Sequence, residues 1–205
     1  MSGTETPPPS TEGAEYTERL RRLEGARWKR VLDTQAPYRW NIRRLKLGRT
    51  LDVGCGIGRN LVHLGGDGVG VDHNPTSVAA ARKRGFEAYT VEEFLASRHA
   101  RADAFDGLLA AHLLEHMPAD DAREVIATYL PFLRGGGRAV FITPQERGFA
   151  SDPTHVRFVD FEEAATLAAE LGLTVDRRYS FPFPRWAGKL FTYNEFVVVA
   201  RKNRP

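Results

Sequence analysis

Cysteine is almost absent: Cys55 is the one thiol in 205 residues. An internal disulfide is thereby excluded, and the chain is expected in a reducing, cytoplasmic compartment. Long apolar runs are missing too. Nothing approaches the roughly 20 apolar residues of a membrane-spanning helix, and residues 1–13 lack the apolar core of a secretory signal. Charge of one sign is not in excess, since the formal net charge is +3 and the basic residues are scattered. Only 19–30 and 39–49 are locally basic, and such runs commonly form solvated helix faces, so nucleic acid is not an expected partner. What is present, 42% hydrophobic and 27% charged residues, is ordinary for one globular domain with a substantial core.

The pattern along the chain is α/β. Residues 1–13 are rich in Pro, Ser, Thr and Glu and are expected to be a disordered tail. The rest, 14–205, reads as one domain, with a helical cap over 14–47 and a core over 48–205. In the cap one helix is expected from Tyr16 through Leu32 and a second from Pro37 through Leu45. Strands are expected at 50–53, 68–72, 86–90, 105–111 and 138–143, then near 174–179 and 196–200. Helices fall between them, one starting at Pro75, a suitable first position. Another is expected over 122–133 and stopped by Gly135-Gly136-Gly137. Phe105–Ala111 is nearly all apolar, as a strand buried on both faces should be. Such alternation predicts a doubly wound, mostly parallel sheet with helices on both faces.

The most informative run is Leu51-Asp52-Val53-Gly54-Cys55-Gly56-Ile57-Gly58-Arg59-Asn60. An apolar strand ends in an acid and breaks into alternate glycines, so backbone can approach a ligand closely and the next helix can aim its N–H groups at it. The spacing is G-x-G-x-G, where a dinucleotide fingerprint has G-x-G-x-x-G. Asp72 ends the second strand at the offset where a carboxylate meets a ribose diol; its alternative role is to cap the helix at Pro75. The glycine run resembles motif I of the class I methyltransferases, which bind S-adenosylmethionine. That resemblance implies a Rossmann-like, seven-stranded sheet with an antiparallel last strand. It implies a cofactor site of Asp52, Gly54, Cys55, Gly56, Gly58, Asp72 and His73, with Ala111 at the end of the fourth strand. Many members carry an acid after strand three; here Thr90-Val91-Glu92 stands there, leaving Val91 or Glu92 to meet the adenine. Tyr38 and Arg43, ahead of motif I, are candidates for the methionine carboxylate, with packing as the other reading. Cys55 reads as a small packing residue.

Three of the six histidines cluster in sequence where chemistry is expected. His112-Leu113-Leu114-Glu115-His116 follows strand four, and Asp152-Pro153-Thr154-His155 follows strand five. On a helical turn the first set would share one side. With His155 across the cleft, His112, Glu115, His116 and His155 are candidate ligands of a divalent metal. The motif is similar to the E-x-x-E-H of small-RNA 2′-O-methyltransferases and of the O-methyltransferases of ubiquinone synthesis, with His112 in place of the first acid. Leu114-Glu115-His116-Met117, Leu133-Arg134-Gly135-Gly136-Gly137, Ile142-Thr143-Pro144 and Asp152-Pro153-Thr154-His155-Val156-Arg157 together resemble bacterial methyltransferases that modify glycans.

The expected activity is methyl transfer from S-adenosylmethionine to a saccharide hydroxyl, assisted by Mg²⁺ or Mn²⁺. His155, His116 and Glu115 are the catalytic candidates, and Phe181, Phe183, Trp186 and Tyr193 a candidate stacking wall. The alternatives are a metal-free enzyme of small aromatic metabolites, an RNA-modifying enzyme, and a cofactor-binding protein without an acceptor.

Overall fold

The computed structural model describes residues 17, 18 and 33–204. The expected tail over 1–13 and nearly all of the first cap helix lie outside the described residues. The second cap helix is α1, Ala36–Arg44. Next come β1 (Thr50–Val53), α2 (Arg59–His63), β2 (Gly68–Val71), α3 (Pro75–Lys83), β3 (Ala88–Tyr89) and α4 (Val91–Leu95). After β4 (Phe105–Ala111) and a 3-10 turn over Leu114–His116 follow α5 (Ala119–Tyr129) and β5 (Leu133–Pro144). The remainder is α6 (Glu146–Phe149), α7 (Phe161–Glu170), β6 (Leu173–Phe181), a 3-10 turn over Arg185–Lys189, and β7 (Glu195–Lys202).

One seven-stranded sheet runs β3-β2-β1-β4-β5-β7-β6, parallel except for β7, which is antiparallel to both neighbours. Both faces are covered. Along β4, Leu108 and Ala110 enter the core packed by Ile126 of α5 and Leu167 of α7. Leu109 and Ala111 point to the other face, with Ile42 of α1. Period-two alternation between two apolar faces is what a fully buried strand requires. The order reverses between β1 and β4, so the carboxyl ends of these strands flank a crevice where ligands bind in such sheets.

Two expectations fail locally. The strand expected over 86–90 shrinks to Ala88–Tyr89, because Thr90 caps α4 through a reciprocal bond pair with Glu93. The triple glycine does not stop a helix. α5 ends at Tyr129, before Leu130-Pro131: proline has no N–H for the next helical bond, and the chain passes into a 3-10 turn over Leu130–Phe132. Gly135–Gly137 lie within β5, where the register against β4 slips between the Phe105–Leu133 and Gly107–Arg138 pairs. A Cβ on Gly137 would stand 2.8 Å from the Asp106 carbonyl oxygen, so this close backbone crossing needs glycine.

Candidate active site

At the end of β1 the chain turns through Gly54, Gly56 and Gly58, at φ of +75°, +53° and +84°. Of these, the missing side chains of Gly54 and Gly58 leave room for protein. A Cβ at Gly54 would meet Leu113 at 2.8 Å, and one at Gly58 would meet Phe86 at 2.8 Å. Gly56 faces the crevice differently: its N–H donates to Asp72 Oδ2 at 2.8 Å, and Asn74 N–H donates to Asp72 Oδ1 at 2.9 Å. Asp72 is therefore pinned by one backbone donor on each oxygen, with lone pairs remaining for a diol. It does not cap α3. Asn74 does that, accepting from Thr76 and Ser77. His73 is exposed beside it, Nδ1 lying 3.5 Å from Asp72 Oδ1.

Asp52 lies beneath the turn, wholly buried, and neither carboxylate oxygen has a hydrogen-bond partner among the described residues. Burial pushes its pKa up to about 7, and the charge of Arg59 offsets this only in part. A folded-state pKa above the ordinary carboxylate value contributes stability below about pH 4 that is lost as pH rises through about 7, up to about 4 kcal/mol for such a shift. The melting temperature of the ligand-free protein is thus expected to fall between about pH 4 and 7 by a component that Asp52→Asn removes. Parallel melting curves for the two proteins would disprove it.

The other cofactor candidates divide. Cys55 is buried against Gly70, and burial raises its thiol well above the usual range, so it packs and is no nucleophile. Val91 is half-buried in the first turn of α4 with its leading N–H groups, whereas Glu92 is exposed. Ala111 is buried at the end of β4. Tyr38 donates its hydroxyl to the Tyr193 carbonyl at 2.7 Å, tying α1 to the segment before β7. Arg43 is exposed and donates to the His63 carbonyl at 3.2 Å, at the end of α2 away from the glycine turn. Arg59, passed over in the sequence, begins α2 and acts electrostatically on Asp52, Tyr38 and His63. A second cation meets the turn as well: Arg84 donates to the Ile57 carbonyl at 2.7 Å.

Beyond β4 the motif is not one helical turn. His112 takes φ +56°, a left-handed value uncommon outside glycine, and only Leu114–His116 form a 3-10 turn. His112 Nδ1 lies 3.3 Å from Glu115 Oε1, and its Nε2 lies 2.9 Å from Glu195 Oε1. Burial depresses its pKa, but the two carboxylates overcome this and lift it to about 9. Both of its nitrogens face carboxylates, and the ligand atoms that cluster among the described residues belong to Glu115, His116 and His155, without His112. Glu195, its second partner, was not a candidate in the sequence, where it reads only as the polar start of an apolar strand.

Glu115, His116 and His155 do come together. One ligand atom from each lies within 4.8 Å of the others. Glu115 is fully buried; desolvation raises its pKa, yet the charge and proximity of His112 bring it below the ordinary value. His155 Nδ1 lies 2.8 Å from the Phe149 carbonyl, and the ring stacks on Phe149 at 5.4 Å. Such a bond fixes the proton on Nδ1 and the lone pair on Nε2, which stands 3.9 Å from Glu115 Oε1. His116 Nδ1 meets the Thr154 carbonyl at 3.2 Å and hydroxyl at 3.1 Å, while that hydroxyl donates to Asp152. Burial pulls His116 below the usual histidine pKa, partly offset by Glu115. Asp152–Arg157 thus serves as a clamp: Val156 and Arg157 N–H both donate to the Glu115 carbonyl, and Arg157 reaches the Met117 carbonyl.

The stacking wall is only partly available. Phe181 is buried against Tyr38 and Trp40, whereas Phe183, Trp186 and Tyr193 are exposed.

Residues 50–137 match the family described as a methyltransferase domain. A search of curated proteins finds no match. Among solved structures, the chain is similar to a SAM-dependent methyltransferase from Archaeoglobus fulgidus at 19% identity and TM-score 0.68, covering 92% of this chain and 100% of that one. It is similar to magnesium protoporphyrin IX methyltransferase from Synechocystis, with bound SAH, at 14% identity and TM-score 0.65, covering 93% and 95%. A methyltransferase from Thermotoga maritima described as a possible histamine N-methyltransferase gives 19% identity and TM-score 0.63, covering 93% and 100%. The sheet is the class I methyltransferase fold, and the segment that matches the methyltransferase domain, 50–137, contains the glycine turn, Asp72 and the Leu114–His116 turn.

Proposed function

We propose that this S-adenosylmethionine-dependent methyltransferase domain alkylates a hydroxyl group, and that its acceptor is a saccharide or polysaccharide precursor. The Glu115–His116–His155 group at the carboxyl end of β4 carries the reading. S-adenosylmethionine supplies a methyl group already activated on its sulfonium. The protein must then hold an oxygen in line behind that methyl and take a proton from it. A sugar hydroxyl is a weak nucleophile near neutrality, so a buried proton-accepting group adds most for that acceptor class.

The residues divide the work. Asp72, held by Gly56 and Asn74, fixes the ribose, and the buried Asp52 favours a cationic ligand over an empty crevice. His155, with its proton fixed on Nδ1, offers Nε2 as the proton acceptor. His112, itself held by Glu195, keeps Glu115 ionised. The same three side chains also fit a divalent ion: two imidazoles with backbone-anchored Nδ1 and a buried carboxylate would supply three donors to it. An ion held there would lower the pKa of an acceptor hydroxyl. No helix among the described residues is long and apolar enough to cross a membrane.

The acceptor class is tested by offering labelled S-adenosylmethionine with panels of monosaccharides, oligosaccharides and phenolic metabolites. O-methylated sugar identified by mass spectrometry is the expected product. Transfer confined to phenols or amines would refute it. For the cofactor, Asp72→Ala is expected to weaken S-adenosylmethionine binding about tenfold or more, since a hydrogen bond to a charged acceptor contributes about 1.5–3 kcal/mol. Unchanged calorimetric affinity would remove the ribose assignment.

A further inference from the structure

Large apolar side chains are exposed very unevenly. Eight are exposed among the described residues, and four of them, Phe183, Trp186, Leu190 and Tyr193, fall in the eleven residues before Asn194. This segment joins β6 to β7 at the carboxyl ends of the strands, above Gln145 and Glu195.

The segment is well anchored. Arg185 makes a two-pronged pair with Glu146 at 2.8 and 2.5 Å. Asn194 accepts from Phe183 N–H at 2.9 Å and donates to the Phe183 and Pro184 carbonyls at 3.3 Å. Ala187 and Gly188 are buried, and the Phe183, Phe191 and Tyr193 rings pack edge to face. A fixed inner side therefore holds apolar tips outward. At 68% and 77% exposure, Trp186 and Leu190 protrude and do not line a pocket that would enclose a small ligand.

Charge selects the occupant. Residues 181–193 contain Arg185 and Lys189 and neither Asp nor Glu, and exposed Arg147 lies on α6, to which the segment is tied. Arg185 is balanced by Glu146, which leaves exposed Lys189 and Arg147 as two cations against no further acid of the segment. Protruding Trp, Leu, Phe and Tyr beside them match the boundary of an anionic bilayer, where apolar tips enter the acyl edge and cations meet headgroups.

We propose that the 182–193 lobe docks the enzyme onto the surface of an anionic lipid membrane. The docking does not depend on the saccharide reading; together, the two make the acceptor a sugar carried on a lipid and presented at the membrane surface.

The test is co-sedimentation of the full chain with phosphatidylglycerol–phosphatidylcholine vesicles, against vesicles of phosphatidylcholine alone. The wild type should sediment with the anionic vesicles and release in high salt. Trp186→Ser with Leu190→Ser should lower partition about tenfold or more, with calorimetric S-adenosylmethionine affinity and circular dichroism unchanged. Lys189→Glu, a single surface change that leaves the apolar tips intact, should weaken it severalfold. Equal partition of the wild type to neutral and anionic vesicles, or of the double variant and the wild type, overturns the proposal. So does a dimer in sedimentation velocity that the double variant disperses, with no vesicle binding by either protein. Loss of vesicle binding with S-adenosylmethionine affinity and circular dichroism retained supports docking, and failure of the sugar assay alone leaves the vesicle result standing.

Discussion

Valine at position 56 is expected to abolish measurable S-adenosylmethionine binding while the sheet stays folded. Two effects combine at this residue. Gly56 sits at φ +53°, where an L-residue costs about 1–2 kcal/mol and a β-branched one more. Its N–H also holds Asp72 in place, at 2.8 Å, so a turn that relaxes away from this angle releases the carboxylate as well. A hydrogen bond to a charged group adds about 1.5–3 kcal/mol, and the sum corresponds to roughly a hundred- to several-thousand-fold in affinity. Calorimetry measures the affinity and circular dichroism the fold. A folded variant that binds normally would mean the glycine turn serves only to pack α2 against β2.

The second large effect concerns the three-residue donor set. With an ion on Glu115, His116 and His155, a chelator should suppress turnover about 10²- to 10⁴-fold, the range of one catalytic proton transfer, and Mg²⁺ or Mn²⁺ should restore it. Cofactor affinity should barely move, because Asp72 and the glycine turn lie on other strands. Glu115→Ala and His155→Ala should each reproduce the chelated enzyme, and combining them should cost little more, as expected of residues acting as one unit. His112→Gln should lower turnover yet keep the metal response, since His112 faces carboxylates with both nitrogens. Full activity in excess chelator, with His155→Ala inactive, would make His155 a general base without a metal.

Much of the sheet was legible because its signals are local. Leu51–Val53, Phe105–Ala111 and Phe196–Ala200 are apolar runs whose length and boundaries already describe buried strands. The glycine turn and Asp72 were legible for the same reason: backbone conformation and a fixed offset leave marks in a short window. Gly135–Gly137 misled, because three residues without side chains carry no periodicity, while the stop signal stood earlier, at Pro131. His112 misled because i, i+3, i+4 spacing assumes a helix, and the chain there leaves a strand through a left-handed residue. Glu195 was invisible for a different reason. Its partner is 83 positions away, and only the insertion of β7 beside β5 brings them together.

That insertion governs how the molecule can be made. β7 lies between β5 and β6, so neither of those strands has its sheet partner on that side until residues 195–202 have left the ribosome. A nascent chain carries β5 through Pro144 with an open hydrogen-bonding edge for some fifty further residues of synthesis, and such edges recruit other chains. Closing it requires a contact of long sequence separation, a slow class of folding event. Glu195 arrives with the same strand, so the carboxylate that completes the charge balance around His112 reaches it only after Glu115, His116 and His155 have been made.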